Sequence, residues 1–169
     1  EGNFRADLLL SPPSECTKNY VEGRADLALL PAAAVPSLKS TDVITEYCIG
    51  AVGPVRTVVL LSDGPVSEVR RVFLDPHSQT SVQLVGYLAH RWKIAPEWYS
   101  LDDYEQLRHA QEGDAFLLIG DKVFDHEEKF RYKYDLAAEW QAATKLPFAF
   151  AVWVARKGTP YEVIESLQH

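Results

Sequence analysis

Methionine is absent from this chain, and cysteine occurs only twice, at Cys16 and Cys48. No apolar run approaches the roughly 18 residues that a membrane-crossing helix needs. No basic segment precedes an apolar core at the start, so no export signal is indicated. A chain that opens on Glu1-Gly2-Asn3 and holds no methionine is expected to begin inside a longer protein. The two cysteines form no CxxC pair and read as buried or half-buried thiols of a reducing compartment, with a disulfide between them as the lesser alternative. Positive charge is also in short supply: 17 Lys and Arg against 24 Asp and Glu leave a formal net charge of −7. Nucleic acid and anionic membranes call for basic surface, so neither is an expected partner. An anionic small molecule would need a local cluster of donors.

Common catalytic signatures are missing as well. There is no Gly-x-Ser-x-Gly elbow, no Walker loop and no Gly-x-Gly-x-x-Gly after a strand. The five histidines, His77, His90, His109, His126 and His169, lack metal-ligand spacing. The hydrolase, nucleotide and zinc readings therefore fall. What is present is a globular composition, 47% hydrophobic and 24% charged, sufficient for one good core or two small ones.

The most informative stretch runs from Val72 to Val82, where a short apolar strand passes through Asp75-Pro76 into a loop rich in hydroxyls. Val82, Val85, Leu88 and Trp92 then recur at helical spacing, so a helix should begin among Ser78 to Ser81. The free N–H groups and dipole of a helix start favour a carboxylate or phosphate, and Ser78, Thr80 and Ser81 add hydroxyl donors. Ser78 or Thr80 acting as a plain helix cap is the alternative.

Elsewhere, residues 6–10, 25–30, 43–49, 55–61, 114–119 and 150–155 read as strands. Helices are expected over 11–23, 101–105, 134–144 and 159–169. Gly50 to Pro54 marks a hinge. Strands alternating with helices indicate an α/β fold with mostly parallel sheets, whose ligands sit at the strands' carboxyl ends. Three junctions stand out: Arg56-Thr57, Asp75 to Ser81, and Gly120-Asp121. Each has a plain reading too, with Arg56 as a surface charge, Asp75 as a turn residue and Asp121 as a helix cap.

Together these junctions resemble a known family. The segments are Gly23-Arg24-Ala25-Asp26-Leu27-Ala28-Leu29-Leu30-Pro31, Gly53 to Ser62, Leu74-Asp75-Pro76-His77-Ser78-Gln79-Thr80-Ser81, Leu117 to Asp121, Asp135-Leu136 with Trp140, and Leu146 to Trp153. In this order they are similar to the motif set of chorismate dehydratase, which opens the futalosine route to menaquinone. The resemblance implies a two-domain fold like type II periplasmic binding proteins, with the ligand in the cleft between domains, in a cytoplasmic enzyme. Residues 1–54 with 149–169 would form one domain and 55–148 the other. The family's opening Ser-Tyr-Leu-Asn-like segment and closing helices are not in this sequence, so the chain is expected to be truncated at both ends. Thr57 stands where a serine is usual, Gln79 where an arginine is usual, and Lys145 where the family has glycine.

The implied reaction removes water from chorismate and gives 3-[(1-carboxyvinyl)oxy]benzoate, driven by aromatisation of the ring, with no metal or redox cofactor. By this resemblance Thr57 and Asp121 are the catalytic candidates. Arg56, Ser78, Gln79, Thr80, Ser81 and Gly120 are the substrate-binding ones. The sister enzyme that makes 1,4-dihydroxy-6-naphthoate and a non-catalytic solute-binding or effector domain are the alternatives. Oligomeric state is left open.

Overall fold

The computed structural model describes residues 6–76, 78–165 and 167. In chain order the elements are α1 (Pro13–Val21), β1 (Leu27–Pro31), β2 (Thr41–Ala51), β3 (Val58–Ser62), β4 (Arg71–Leu74), α2 (Gln79–Trp92), β5 (Glu97–Ser100), β6 (Asp114–Ile119), α3 (Lys122–His126), β7 (Tyr132–Asp135), α4 (Leu136–Thr144), β8 (Phe148–Arg156) and α5 (Tyr161–Glu165). Short 3₁₀ turns occur at Ala32–Ser37, Val66–Glu68, Tyr104–His109 and Glu127–Lys129. The described residues sort into two compact units, one within Glu1–Ile49 and Ala149–His169, the other Gly50–Phe148.

The first unit holds a sheet in the order β1-β8-β2. Strands β1 and β8 are antiparallel, from Leu27 opposite Ala155 to Pro31 opposite Ala151. α1 starts on Pro12-Pro13, where a fixed φ and a missing N–H suit a first turn. It presents Tyr20 to a core of Ala28, Leu30 and Val154. The Tyr20 hydroxyl pairs with Thr41 Oγ1 at 3.1 Å, and the Arg156 guanidinium donates to the Tyr20 carbonyl. The expected strand over 6–10 is not formed: Leu8 and Leu10 are 82% and 83% exposed, and no strand includes them. An apolar run becomes a strand only where a neighbour completes its backbone hydrogen bonds. Cys16 is half-buried and donates to the Ser11 carbonyl, whereas Cys48 on β2 is exposed, contrary to the expectation for it. Of the expected helix over 159–169, α5 is observed, and residues 166, 168 and 169 lie outside the described residues.

The second unit is a five-stranded sheet in the order β5-β4-β6-β3-β7. β4 is parallel to both β5 and β6, while β3 is antiparallel to both β6 and β7. The expected mostly parallel sheets are therefore corrected to mixed ones, since an apolar strand sequence carries no record of its direction. In this second sheet β3 alone runs against the other four strands. One face carries Val59, Leu61, Phe116 and Leu118, which pack with Leu101, Leu107, Val123 and Phe130. The opposite face carries Leu60, Val72, Ala115 and Leu117, all buried, as are Leu84, Val85 and Leu88 of α2 and Leu136 and Ala137 of α4. α2 and α4 pack side by side. Their contact includes Tyr87 against Trp140, 5.2 Å between ring centres, and a Trp92 indole N–H donated to Glu139 at 3.3 Å.

Candidate functional site

Strand direction brings several loops to one edge of the second unit's sheet. β4, β6 and β7 end at this edge, and β3, running the other way, begins there. Val58 lies opposite Ile119, Val59 opposite Asp135, and Leu74 opposite Leu117. The residues before Val58 and those after Leu74, Ile119 and Tyr134 thus share one end of the sheet. The described residues of all three sequence junctions fall here.

Asp135 organises the first of them. Its Oδ1 accepts from the N–H groups of Ala137 and Ala138, both at 3.0 Å, and so caps α4. Its Oδ2 accepts from the N–H groups of Val55 and Arg56 at 2.8 and 2.6 Å. One carboxylate therefore ends β7, starts α4 and fixes the loop that leads into β3. Residues 55 and 56 are taken out of the expected strand by these bonds, and Arg56 has a left-handed backbone with φ 64°, a conformation costly for a residue with a side chain. β3 starts only at Val58 as a result. The same bonds move the start of α4 from the expected residue 134 to Leu136, since an N-cap residue stands outside the helix it caps.

Thr57 is half-buried just before β3, with its Oγ1 3.5 Å from the Val55 carbonyl oxygen. Its own carbonyl accepts from the Gly120 N–H at 2.8 Å, so Thr57 and Gly120 are directly joined. Gly120 has φ 73°, and a Cβ there would meet open space. The glycine answers a backbone need and leaves room beside it. Arg56 is exposed, its guanidinium 5.5 Å from the centre of the Phe124 ring. Asp121 is exposed and makes no side-chain cap to the following helix, so the plain capping reading does not describe it.

At the start of α2, Ser78 is the N-cap and accepts from the Ser81 N–H at 3.2 Å, while its hydroxyl donates to Ser81 Oγ at 2.7 Å. Thr80 and Ser81 are buried at 5% and 1% exposure, and Gln79 is exposed. His77, in the middle of this motif, lies outside the described residues. The hydroxyl-rich turn is thus first a helix cap, and Ser81 Oγ is one of its partners.

Asp75, by its plain reading a turn residue, is fully buried. Its N–H donates to the Leu117 carbonyl at 3.2 Å, and its Oδ2 meets Lys122 Nζ at 2.6 Å and the Tyr104 hydroxyl at 3.0 Å. Lys122 also donates to the Tyr104 hydroxyl. Burial alone would lower the Lys122 ammonium, but the hydrogen bonds and charge of Asp75 and the Tyr104 hydroxyl outweigh it and raise it above its ordinary value. Burial also pushes the Tyr104 phenol up, reinforced by the Asp75 charge and opposed by Lys122. The signal for Lys122 in the sequence was only its place after a buried strand; its partners are remote in the chain and came from the fold. Among the described residues no group of three or more His, Cys, Asp or Glu side chains is placed to hold a metal ion.

A chorismate dehydratase from Thermus thermophilus is 27% identical over 173 residues, covering 90% of this chain and 62% of that protein. A solved protein from Archaeoglobus fulgidus matches with a TM-score of 0.67 at 17% identity, over 94% of this chain and 60% of that one. An ABC transporter from Parabacteroides distasonis matches with a TM-score of 0.57 at 15% identity, over 94% of this chain and 57% of that one. The chain therefore spans less than two thirds of the length of these relatives, and the two structural likenesses concern the fold. Residues 1–169 match the model of a family described as menaquinone biosynthesis, and the chain belongs to that family.

Proposed function

We propose that this protein acts as a chorismate dehydratase, converting chorismate to 3-[(1-carboxyvinyl)oxy]benzoate and water. The observation that carries the reading is that Val55–Thr57, Asp75, Ser78–Ser81, Gly120–Asp121 and Asp135, all from the motif set, lie at one end of the sheet. Membership of the menaquinone biosynthesis family and the relative named chorismate dehydratase support it. The two-lobed architecture like type II periplasmic binding proteins, with lobe boundaries near residues 54 and 148, and a cytoplasmic location belong to the same proposal. Among the described residues no helix is long and apolar enough to cross a membrane.

The reaction breaks the C–O bond of the ring hydroxyl and a C–H bond of the neighbouring ring carbon. Hydroxyl and proton leave as water while the ring becomes aromatic. The protein has to hold a dianion, keep its enolpyruvyl arm from attacking the ring, and help the hydroxyl depart. In this reading the first turn of α2, with Ser78, Gln79, Thr80 and Ser81, holds one carboxylate. Arg56 and the open space beside Gly120 receive the rest of the molecule. Thr57 hydrogen-bonds at the departing hydroxyl. Asp121, exposed beside Gly120, takes or orients a proton, unless a carboxylate of the substrate does so.

The test is incubation of the protein with chorismate, followed by ultraviolet absorbance and mass determination of the product. The expected product is the aromatic enol ether, lighter than chorismate by one water. Unchanged chorismate, or pyruvate with hydroxybenzoate, would overturn the reading.

A further inference from the structure

We propose that Lys122 is a substrate-binding residue, its ammonium held at the sheet edge by Asp75 and Tyr104 so that its remaining N–H meets a carboxylate of the substrate. The inference rests on the chorismate reading for the identity of the substrate, though not for its negative charge. An ammonium carries three N–H bonds. One goes to Asp75 Oδ2 at 2.6 Å and a second to the Tyr104 hydroxyl. The Tyr104 hydroxyl donates in turn to Asp75 Oδ2 at 3.0 Å, which closes a triangle. Its corners come from the loop after β4, the 3₁₀ turn Tyr104–His109 and the first residue of α3. The third N–H has no acceptor among the described residues.

Exposure decides which end of the ion pair an incoming molecule meets. The Asp75 side chain is 0% exposed and the Lys122 side chain 27%, so the anion is inside and the cation faces outward. A lysine fixed by two partners has already lost much of its rotamer freedom, and binding then costs less ordering.

The edge needs such a charge. The first turn of α2, residues 79–82, holds no basic residue, and Gln79 is neutral. In the edge segments 55–57, 78–81, 120–122 and 135, the Lys and Arg residues are Arg56 and Lys122. Arg56 is exposed and leans on Phe124, whereas Lys122 is anchored to the loop that opens α2. Asp75 precedes the helix cap Ser78 by three residues, at most about 11 Å between α-carbons. The carboxylate that holds the ammonium and the hydroxyl that caps α2 therefore stand in one short segment at the same end of the sheet.

The test compares benzoate with benzamide, ligands of one shape that differ in charge, by calorimetry, and measures chorismate turnover alongside. It uses the unmutated protein, Lys122→Arg and Lys122→Met. Benzoate should bind at least about tenfold more tightly than benzamide to the unmutated protein and to Lys122→Arg, with the preference falling below about threefold in Lys122→Met. KM for chorismate should rise about ten- to a hundredfold in Lys122→Met with kcat within about threefold, the pattern of lost uniform binding. Because Lys122→Met leaves a buried carboxylate without its cation, that variant can fail to fold. Asp75→Asn/Lys122→Met removes both charges and must show the same loss of preference. No benzoate preference in the unmutated protein, or a preference that persists in folded Lys122→Met or in the double variant, overturns the proposal. Absent turnover with an intact, Lys122-dependent preference for benzoate refutes the chorismate reading and upholds the anion site.

Discussion

Removing the Asp135 carboxylate should release two structures at once. Its Oδ1 accepts two N–H groups of α4, and its Oδ2 accepts those of Val55 and Arg56. Loss of a helix N-cap costs about 1 kcal/mol. Hydrogen bonds to a charged acceptor contribute about 1.5–3 kcal/mol each when desolvated. Asp135 is half-buried, so about half of that is the better figure, giving roughly 2 kcal/mol for the two loop bonds. Asp135→Ala should therefore lose about 3 kcal/mol. Asp135→Ser, which retains a capping hydroxyl but cannot span to the loop, should lose about 2 kcal/mol. With a urea dependence of about 2 kcal/mol per molar, these losses lower the unfolding midpoint by about 1.5 and 1 M. Tryptophan fluorescence is a suitable probe, because Trp92, Trp98 and Trp140 of the four tryptophans lie in this unit. A loss below about 0.5 kcal/mol in Asp135→Ala, or equal losses in the Ala and Ser variants, would refute the double attachment.

Thr57→Ser should stay active on chorismate while Thr57→Val loses about a hundredfold in kcat with little change in KM, if the hydroxyl acts in the transition state; full activity of Thr57→Val would remove it from the site. Ser78→Ala should cost about 1 kcal/mol by losing the α2 cap, against less than about 0.5 for the exposed Gln79→Ala, both read from thermal melting. Lys145 ends α4 in a left-handed conformation with φ 63°, so Lys145→Gly should stabilise by up to about 1 kcal/mol, and an unchanged or lower melting temperature would contradict this. Lys122 and Tyr104 both sit above their ordinary values of 10.5 and 10.0. Their contribution to stability is then fully present below those values and lost as pH rises through the higher folded ones. Urea midpoints should hold to about pH 10 and fall above it, and the fall should be smaller in Asp75→Asn/Lys122→Met.

Local chemistry made several elements legible. Asp114 to Ile119 is a strand because five buried side chains follow one another there, and Asp75-Pro76 followed by hydroxyls and a helical apolar period placed the start of α2. The glycine usual at the position of Lys145 has its reason in the backbone, a left-handed helix end where a side chain is costly. What the sequence could not supply was pairing. Residues 6–10 have strand-like composition and form no strand, while β5 and β7, at the two edges of the five-stranded sheet, were missed. Edge strands bury little, so their residues lack the apolar signal that marks a central strand.

Among the candidate residues, the sequence by itself determined which loops carry hydroxyls, a glycine and a carboxylate after buried strands, and the order of the motifs. Tertiary structure decided the rest. The reversed direction of β3 brings Thr57 to Gly120. The distribution of one carboxylate over Val55, Arg56 and α4 gives Asp135 its part. Asp75, Tyr104 and Lys122 are single polar residues in three separate segments until the fold sets them side by side, because a buried charge requires a partner and only the fold selects which one is within reach.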